Sequence, residues 1–184
     1  RLGAQVWAYD VRPETSEQVE SLGAKFIELD LGEEGSGEGG YAKELSNEAK
    51  KKQQQMLSKE LQKADVLIST AAIPCRPAPR LITEETVKGM REGSVIIDMA
   101  AATGGNCELT EAGSVVVKHG VQIVGHTNYP AMVAADASSF FARNLVNLME
   151  LLVTKEDDRL VQPDYMEDEV TQAALVVYQG EVRF

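Results

Sequence analysis

Residues 5–10 read Q-V-W-A-Y-D, and this stretch decides the fold. Val6, Trp7, Ala8 and Tyr9 make a short apolar run rich in β-forming side chains, with Gly3 before it and Arg12-Pro13 and a helical pattern after it. A run without polar alternation predicts a parallel strand buried on both faces, because helices cover both sides of such a sheet. The strand ends on Asp10. In dinucleotide-binding sheets a carboxylate at this place accepts hydrogen bonds from the adenosine ribose, roughly 20 residues beyond a glycine-rich phosphate turn. Counting back from Asp10 places that turn before residue 1, so Arg1-Leu2-Gly3 reads as the last turn of an earlier helix and the chain as the C-terminal portion of something longer. The plainer alternative carries equal weight here: Asp10 caps the turn at residues 11–14.

Composition narrows the class. A length of 184 residues suffices for one full domain with a sizeable core, or one domain and a fragment of another. Apolar residues make up 43% with no run near the length of a membrane span, which predicts a soluble chain. The charge balance is 29 Asp and Glu against 18 Lys and Arg, net −11, which argues against nucleic acid as a partner because phosphate binding needs a basic face. Cys75 and Cys107 lie in different loops, which predicts free thiols in a reducing compartment. Together with His119 and His126 they have no zinc-type spacing, so no metal site is expected.

From Asp10 outward, Pro13 can open a helix whose first turn is acidic and which stops at Gly23. Residues 25–30, K-F-I-E-L-D, alternate and predict a strand near the sheet edge. Residues 31–40, L-G-E-E-G-S-G-E-G-G, break every pattern. They read as a connector to a polar, solvated helix running to about Lys63, or as a lid ending in Tyr41, and composition favours the connector. Residues 64–70 and 94–98 predict two further buried strands. Their ends carry small residues, Thr70-Ala71-Ala72 and the G-G-N-C loop at 104–107, so that three strand ends form one ligand-binding rim. Three prolines stiffen the loop at 74–79, and Thr83-Glu84-Glu85 caps a short helix. Residues 115–118 and 121–124 flank His119-Gly120 as a hairpin, which either packs in its own domain or is covered by another subunit. A long amphipathic helix runs from Ala134 to about Leu152; residues 155–159 read as a charged turn, and 173–178 with 182–184 as a last hairpin. The expected fold is α/β: a Rossmann-like, doubly wound, mostly parallel sheet lacking its first strand and Gly-rich turn. Residues 1–133 form this dinucleotide-binding domain, 134–153 a connecting helix, and 154–184 a segment returning to a companion domain.

No nucleophile and base stand together. Ser138-Ser139 have no histidine placed to activate them, His126 reads best as a hydrogen-bonded loop residue, and Cys107 as a buried small residue. Asp98 could face a cofactor, yet a strand-end carboxylate more often caps the turn that follows, and that reading is favoured. No catalytic residue is therefore assigned. Hydride transfer between two nicotinamides needs no proton-transfer group, since positioning carries that reaction.

The blocks A-Y-D-V-R-P-E (8–14), G-G-Y-A-K-E-L-S (39–46), S-T-A-A-I-P-C-R-P-A-P-R-L-I-T (69–83), G-S-V-I-I-D-M-A (93–100) and G-G-N-C together resemble one family. It is the NAD(H)-binding first domain of the proton-translocating nicotinamide nucleotide transhydrogenase, and the resemblance runs over essentially the whole chain. It implies that NAD(H) binds here and passes hydride to NADP(H) on a partner domain, with a membrane domain coupling the transfer to proton movement. Carried onto these residues, Asp10 holds the adenosine ribose beside Val11 and Arg12, and Tyr41 sits on a loop closing over NAD(H). Thr70, Ala71 and Ala72 line the cofactor's path, with Gly105 and Asn106 nearby. The resemblance further implies a homodimer with the 115–124 hairpin in its contact. It also implies a peripheral soluble domain at the cytoplasmic face of a bacterial inner membrane, or in the mitochondrial matrix of a eukaryote. The stretch alone is then expected not to catalyse transfer. Two departures stand out: Cys75-Arg76 where the family typically reads G-K, and Leu45 where methionine is common. Alanine dehydrogenase shares the fold and several motifs and is the nearest rival; the glycine-rich insertion with Tyr41 resembles the transhydrogenase instead. From another class, a non-catalytic NAD-binding or docking module is the remaining alternative.

Overall fold

A computed structural model describes residues 3–30, 46–156 and 158–183. The chain divides into two compact units, Arg1–Thr127 and Asn128–Phe184. In the first, β1 (Trp7–Ala8), α1 (Thr15–Ser21) and β2 (Lys25–Phe26) form a small parallel βαβ turn of the chain. Then come α2 (Asn47–Leu61), β3 (Val66–Ser69), α3 (Glu84–Gly89), β4 (Val95–Asp98), β5 (Val115–Lys118) and β6 (Val121–Val124).

Strands β3, β4 and β6 are parallel and β5 closes the edge antiparallel, in the order β3-β4-β6-β5. Register places Leu67 beside Ile96 and Ile96 beside Ile123. These side chains share one face and bury against Ile82, Val87, Met90, Val121 and Cys107. Helix α3 supplies the cover, and it starts where Thr83 Oγ1 accepts the backbone N–H of Thr86 at 3.2 Å, satisfying an otherwise orphaned donor. The turn between β5 and β6 has positive φ at both His119 (52°) and Gly120 (78°), as a two-residue hairpin with right-handed strand twist requires.

The expectation of strands buried on both faces is corrected. Val66 and Ile68 stand exposed while Leu67 and Ser69 are buried, so β3 alternates. Strand β1 is thinner still, with Trp7 51% exposed and Val6, just before it, 55% exposed. It pairs only with β2 among the described residues, and the Lys25 ammonium lies over the Trp7 ring at 4.8 Å from its centroid. An apolar run records that a face can be covered, and what covers it is written elsewhere in the sequence.

Helix α2 corrects a second expectation. Its K-K-K-Q-Q-Q middle reads as fully solvated, yet Ala49, Gln53 and Leu57, spaced by four, form a buried stripe. Gln53 Nε2 donates to the Tyr9 hydroxyl at 2.8 Å, and Ser58 and Thr86 hydroxyls meet at 2.8 Å. One helix thus ties the residue before Asp10 to the helix over the main sheet.

The second unit contains α4 (Tyr129–Met132), the long α5 (Ala134–Leu152), a β7–β8 hairpin (Thr154–Glu156 with Arg159–Val161), α6 (Glu169–Ala174) and a β9–β10 hairpin (Val177–Tyr178 with Glu181–Val182). Lys155, Glu156 and Arg159 of the expected charged turn pair as strand ends, and the chain turns at Asp158 with φ of 61°. Residues 173 and 174, expected in a strand, end α6, because Asp168 accepts the N–H groups of Val170 and Thr171 and starts a helix there. The last hairpin keeps its expected turn, with positive φ at Gln179 and Gly180. No helix among the described residues is long and apolar enough to cross a membrane.

Candidate functional site

Asp10 follows β1 and its side chain is 32% exposed. Three donors from one residue converge on it. Oδ1 accepts the backbone N–H of Arg12 at 2.9 Å and its Nε–H at 2.9 Å, while Oδ2 accepts Nη2–H at 2.8 Å. The fork follows from sequence: two residues on, past the bend at Val11, the guanidinium returns to the strand end with bidentate geometry. The Arg12 side chain, by its hydrogen bonds, holds the Asp10 carboxyl below the usual carboxylate range, against a smaller opposing effect of burial. Asp10 is thus an ionised, partly exposed acceptor. Its neighbour Tyr9 titrates above the ordinary phenol range because it is buried.

At the ends of β3 and β4 a different arrangement is built. Asp98 is fully buried and accepts three donors: Ala100 N–H on Oδ1 at 3.1 Å, and Cys107 N–H and Thr110 Oγ1–H on Oδ2 at 3.0 and 2.6 Å. A Cβ on Gly105, whose φ is +79°, would stand 2.7 Å from Asp98 Oδ2, so that position demands glycine. Asn106 is also fully buried. Its amide donates to the carbonyls of Ala71 and Pro79 at 2.8 and 2.9 Å, and its Oδ1 accepts the buried Ser69 hydroxyl at 2.7 Å. Both donors are thereby used inside the protein. Arg80 Nη1 adds a bond to the Cys107 carbonyl at 2.8 Å. The Cys107 thiol itself lies in the core and titrates above its ordinary range because of burial, which is the chemistry of an inert residue.

The residues picked out by sequence fall into two groups. Asp10, Val11 and Arg12 are partly buried together at the end of β1. Thr70 and Ala72 are exposed, and Ala71 is half-buried with its carbonyl fixed by Asn106. Gly105 and Asn106 lie behind that surface, holding its loops. Tyr41 and the glycine-rich stretch before it lie outside the described residues. Among the described residues no group of His, Cys, Asp and Glu is placed to hold a metal. Sequence reasoning missed Ser69, Gln53 and the Arg12 fork. Only Ser69 carried a hint, a polar side chain at the end of an otherwise apolar strand.

The residues present suit one portion of a dinucleotide: a strand-end carboxylate for ribose hydroxyls, and small exposed residues where backbone can approach a ligand. The family profile described as alanine dehydrogenase/PNT, C-terminal domain, matches residues 1–184. The first part of the NAD(P) transhydrogenase alpha subunit of Rhodospirillum rubrum is 54% identical over 184 residues, covering 99% of this chain and 47% of that protein. Alanine dehydrogenase 1 of Staphylococcus aureus is 33% identical over 131 residues, 68% of this chain and 34% of that one. The crystal structure of transhydrogenase from Sinorhizobium meliloti superposes with a TM-score of 0.64 at 43% identity, over 82% of this chain and 38% of that chain. The chain thus spans about half or less of the length of these relatives.

Proposed function

From the premise that this chain belongs to the alanine dehydrogenase/PNT family, as its C-terminal domain, we propose that it is the NAD(H)-binding portion of a proton-translocating transhydrogenase. Hydride passes directly between NAD(H) held here and NADP(H) on a partner domain, and a membrane domain couples this to proton movement. One observation carries the reading: Asp10 is an ionised, partly exposed carboxylate at the end of a parallel strand, where ribose hydroxyls are recognised. The nicotinamide supplies the carbon that gives or takes hydride. This chain's residues bind and orient. Asp10 holds the adenosine ribose, with Val11 and Arg12 beside the adenosine. Thr70, Ala71 and Ala72 give a path of small residues, Gly105 and Asn106 keep that path in shape from behind, and Tyr41 closes over the bound cofactor. Since no proton moves in the transfer, positioning alone can carry it.

The proposal includes the division into residues 1–133, 134–153 and 154–184 and a homodimer using the β5–β6 hairpin. It also places the domain at the cytoplasmic face of a bacterial inner membrane, or in the mitochondrial matrix. Alanine dehydrogenase chemistry is the second reading, and the higher identity to the transhydrogenase relative, 54% against 33%, favours the first. The test is a titration of the complete alpha subunit with NADH and NADPH in parallel. Mixing with an NADP(H)-binding partner domain, to follow hydride transfer, completes it. Preferential NADH binding followed by transfer supports the reading. Oxidative deamination of alanine without transfer to NADP would replace it with the rival, and absence of NADH binding would remove both.

A further inference from the structure

The geometry points to Arg12 as the residue that sets how sharply this site separates dinucleotides without a 2′-phosphate from those with one. This rests on the reading of Asp10 as the ribose anchor. A carboxylate offers about four lone-pair positions. Arg12 takes two on Oδ1, through its backbone N–H and Nε–H, and one on Oδ2 through Nη2–H. At most one position is then left, on Oδ2, whereas a ribose diol presents two hydroxyls. For Asp10 to accept both, the guanidinium must let go of at least one oxygen.

The carboxylate does not need the guanidinium to stay aimed. The backbone bond from Arg12 N–H to Oδ1, 2.9 Å, comes from the turn itself and persists whatever side chain stands at position 12. The guanidinium therefore competes with the diol. It also offsets the charge of Asp10, which by itself repels a 2′-phosphate, and a released guanidinium offers that phosphate a planar fork of donors. Both effects act in one direction. Arg12 weakens the preference that Asp10 creates, and the discrimination of the site is the balance of the two.

The experiment measures dissociation constants of NADH and NADPH by calorimetry for the complete alpha subunit, wild type and the variants Arg12→Gln, Arg12→Lys and Asp10→Asn. Circular dichroism checks that each is folded. The ratio of the NADPH to the NADH constant is expected to rise about tenfold in Arg12→Gln, as NADH gains a lone pair and NADPH loses a screened cation. Arg12→Lys keeps the charge and is expected to hold NADPH within about threefold of wild type. An unchanged or lower ratio in folded Arg12→Gln, with NADH binding weakened in Asp10→Asn, overturns the inference and leaves Asp10 as anchor. Loss of NADH binding in folded Arg12→Gln makes Arg12 a support for Asp10, and also overturns it. Unaltered NADH affinity in Asp10→Asn removes the anchor reading itself, and the inference with it.

Discussion

Asp10 and Asp98 are written alike in the sequence, each a carboxylate closing a short apolar strand, and the folded chain uses them in opposite ways. Asp98 is fully buried, its oxygens surrounded by two backbone N–H groups and a threonine hydroxyl from the loop that follows. Asp10 is one-third exposed, and its three bonds come from one neighbour, Arg12. The difference lies in the loop lengths. After Asp98 the chain turns through Gly104 and Gly105 at positive φ and comes back over the carboxylate at Cys107 and Thr110. After Asp10 it departs into α1, and Arg12 reaches back from the turn between them. A strand-end carboxylate is a fold clamp where its own loop doubles back, and stays partly exposed where it does not.

The harshest test of that contrast is Asp98→Asn. The amide turns a donor toward groups that are themselves donors, in a site without water access, and a cost of about 3 kcal/mol is expected in chemical denaturation. The same substitution at Asp10 is expected to change stability by less than about 1 kcal/mol, as for an exposed ion pair. Equal losses at the two positions would break the comparison.

Asn106→Ala comes next, at about 2 kcal/mol, because it strands the carbonyls of Ala71 and Pro79 and the Ser69 hydroxyl together. Its readout in binding sharpens the contrast. Asn106 acts behind the surface, so NADH affinity is expected to fall through a loosened 70–72 path while the NADH-to-NADPH preference stays unchanged. A changed preference would place Asn106 against the cofactor.

Much of this was legible from residues and some was not. Turn chemistry was local and readable: His119-Gly120 and Gln179-Gly180 sit where positive φ is needed, and Thr83 caps α3. Binary patterning misled wherever the covering partner is distant. The apolar runs at 6–9 and 66–69 promised full burial, and the polar run at 50–55 promised none, yet Gln53 is buried and Val6 is not. A glutamine's fate depends on meeting Tyr9, forty-four positions away. The capping role favoured for Asp98 holds, but its full set of three donors was not legible, because the return of a loop over Asp98 depends on Gly105 leaving room for it, a three-dimensional fit at 2.7 Å.

Asp10→Asn is expected to weaken NADH about tenfold in the complete alpha subunit, measured by calorimetry, with the fold intact. The amide keeps the shape and one acceptor but loses the charge that draws hydroxyl donors. Asp98→Asn, where folded, is expected to bind NADH with unaltered preference over NADPH, so the pair separates binding from support.

The smallest expected effect concerns pH. The Asp10 carboxyl titrates below its ordinary value because Arg12 hydrogen-bonds its charged form. A depressed carboxyl contributes stability that is fully present above the unfolded value, about 3.9, and is lost as pH falls through the lower folded value. The stability difference between wild type and Arg12→Gln is therefore expected to be constant from neutrality down to about pH 4 and to shrink below it. Its size is under about 1 kcal/mol, since water reaches both partners. Denaturation midpoints for the two proteins between about pH 2.5 and pH 6 provide the measurement. A difference that persists at the acid end would mean that Arg12 contributes through packing of its aliphatic stem instead of through the fork. The competition with the ribose diol would then be weaker than the three short bonds suggest, and Asp10 would stand as an open acceptor at its strand end, further still from Asp98.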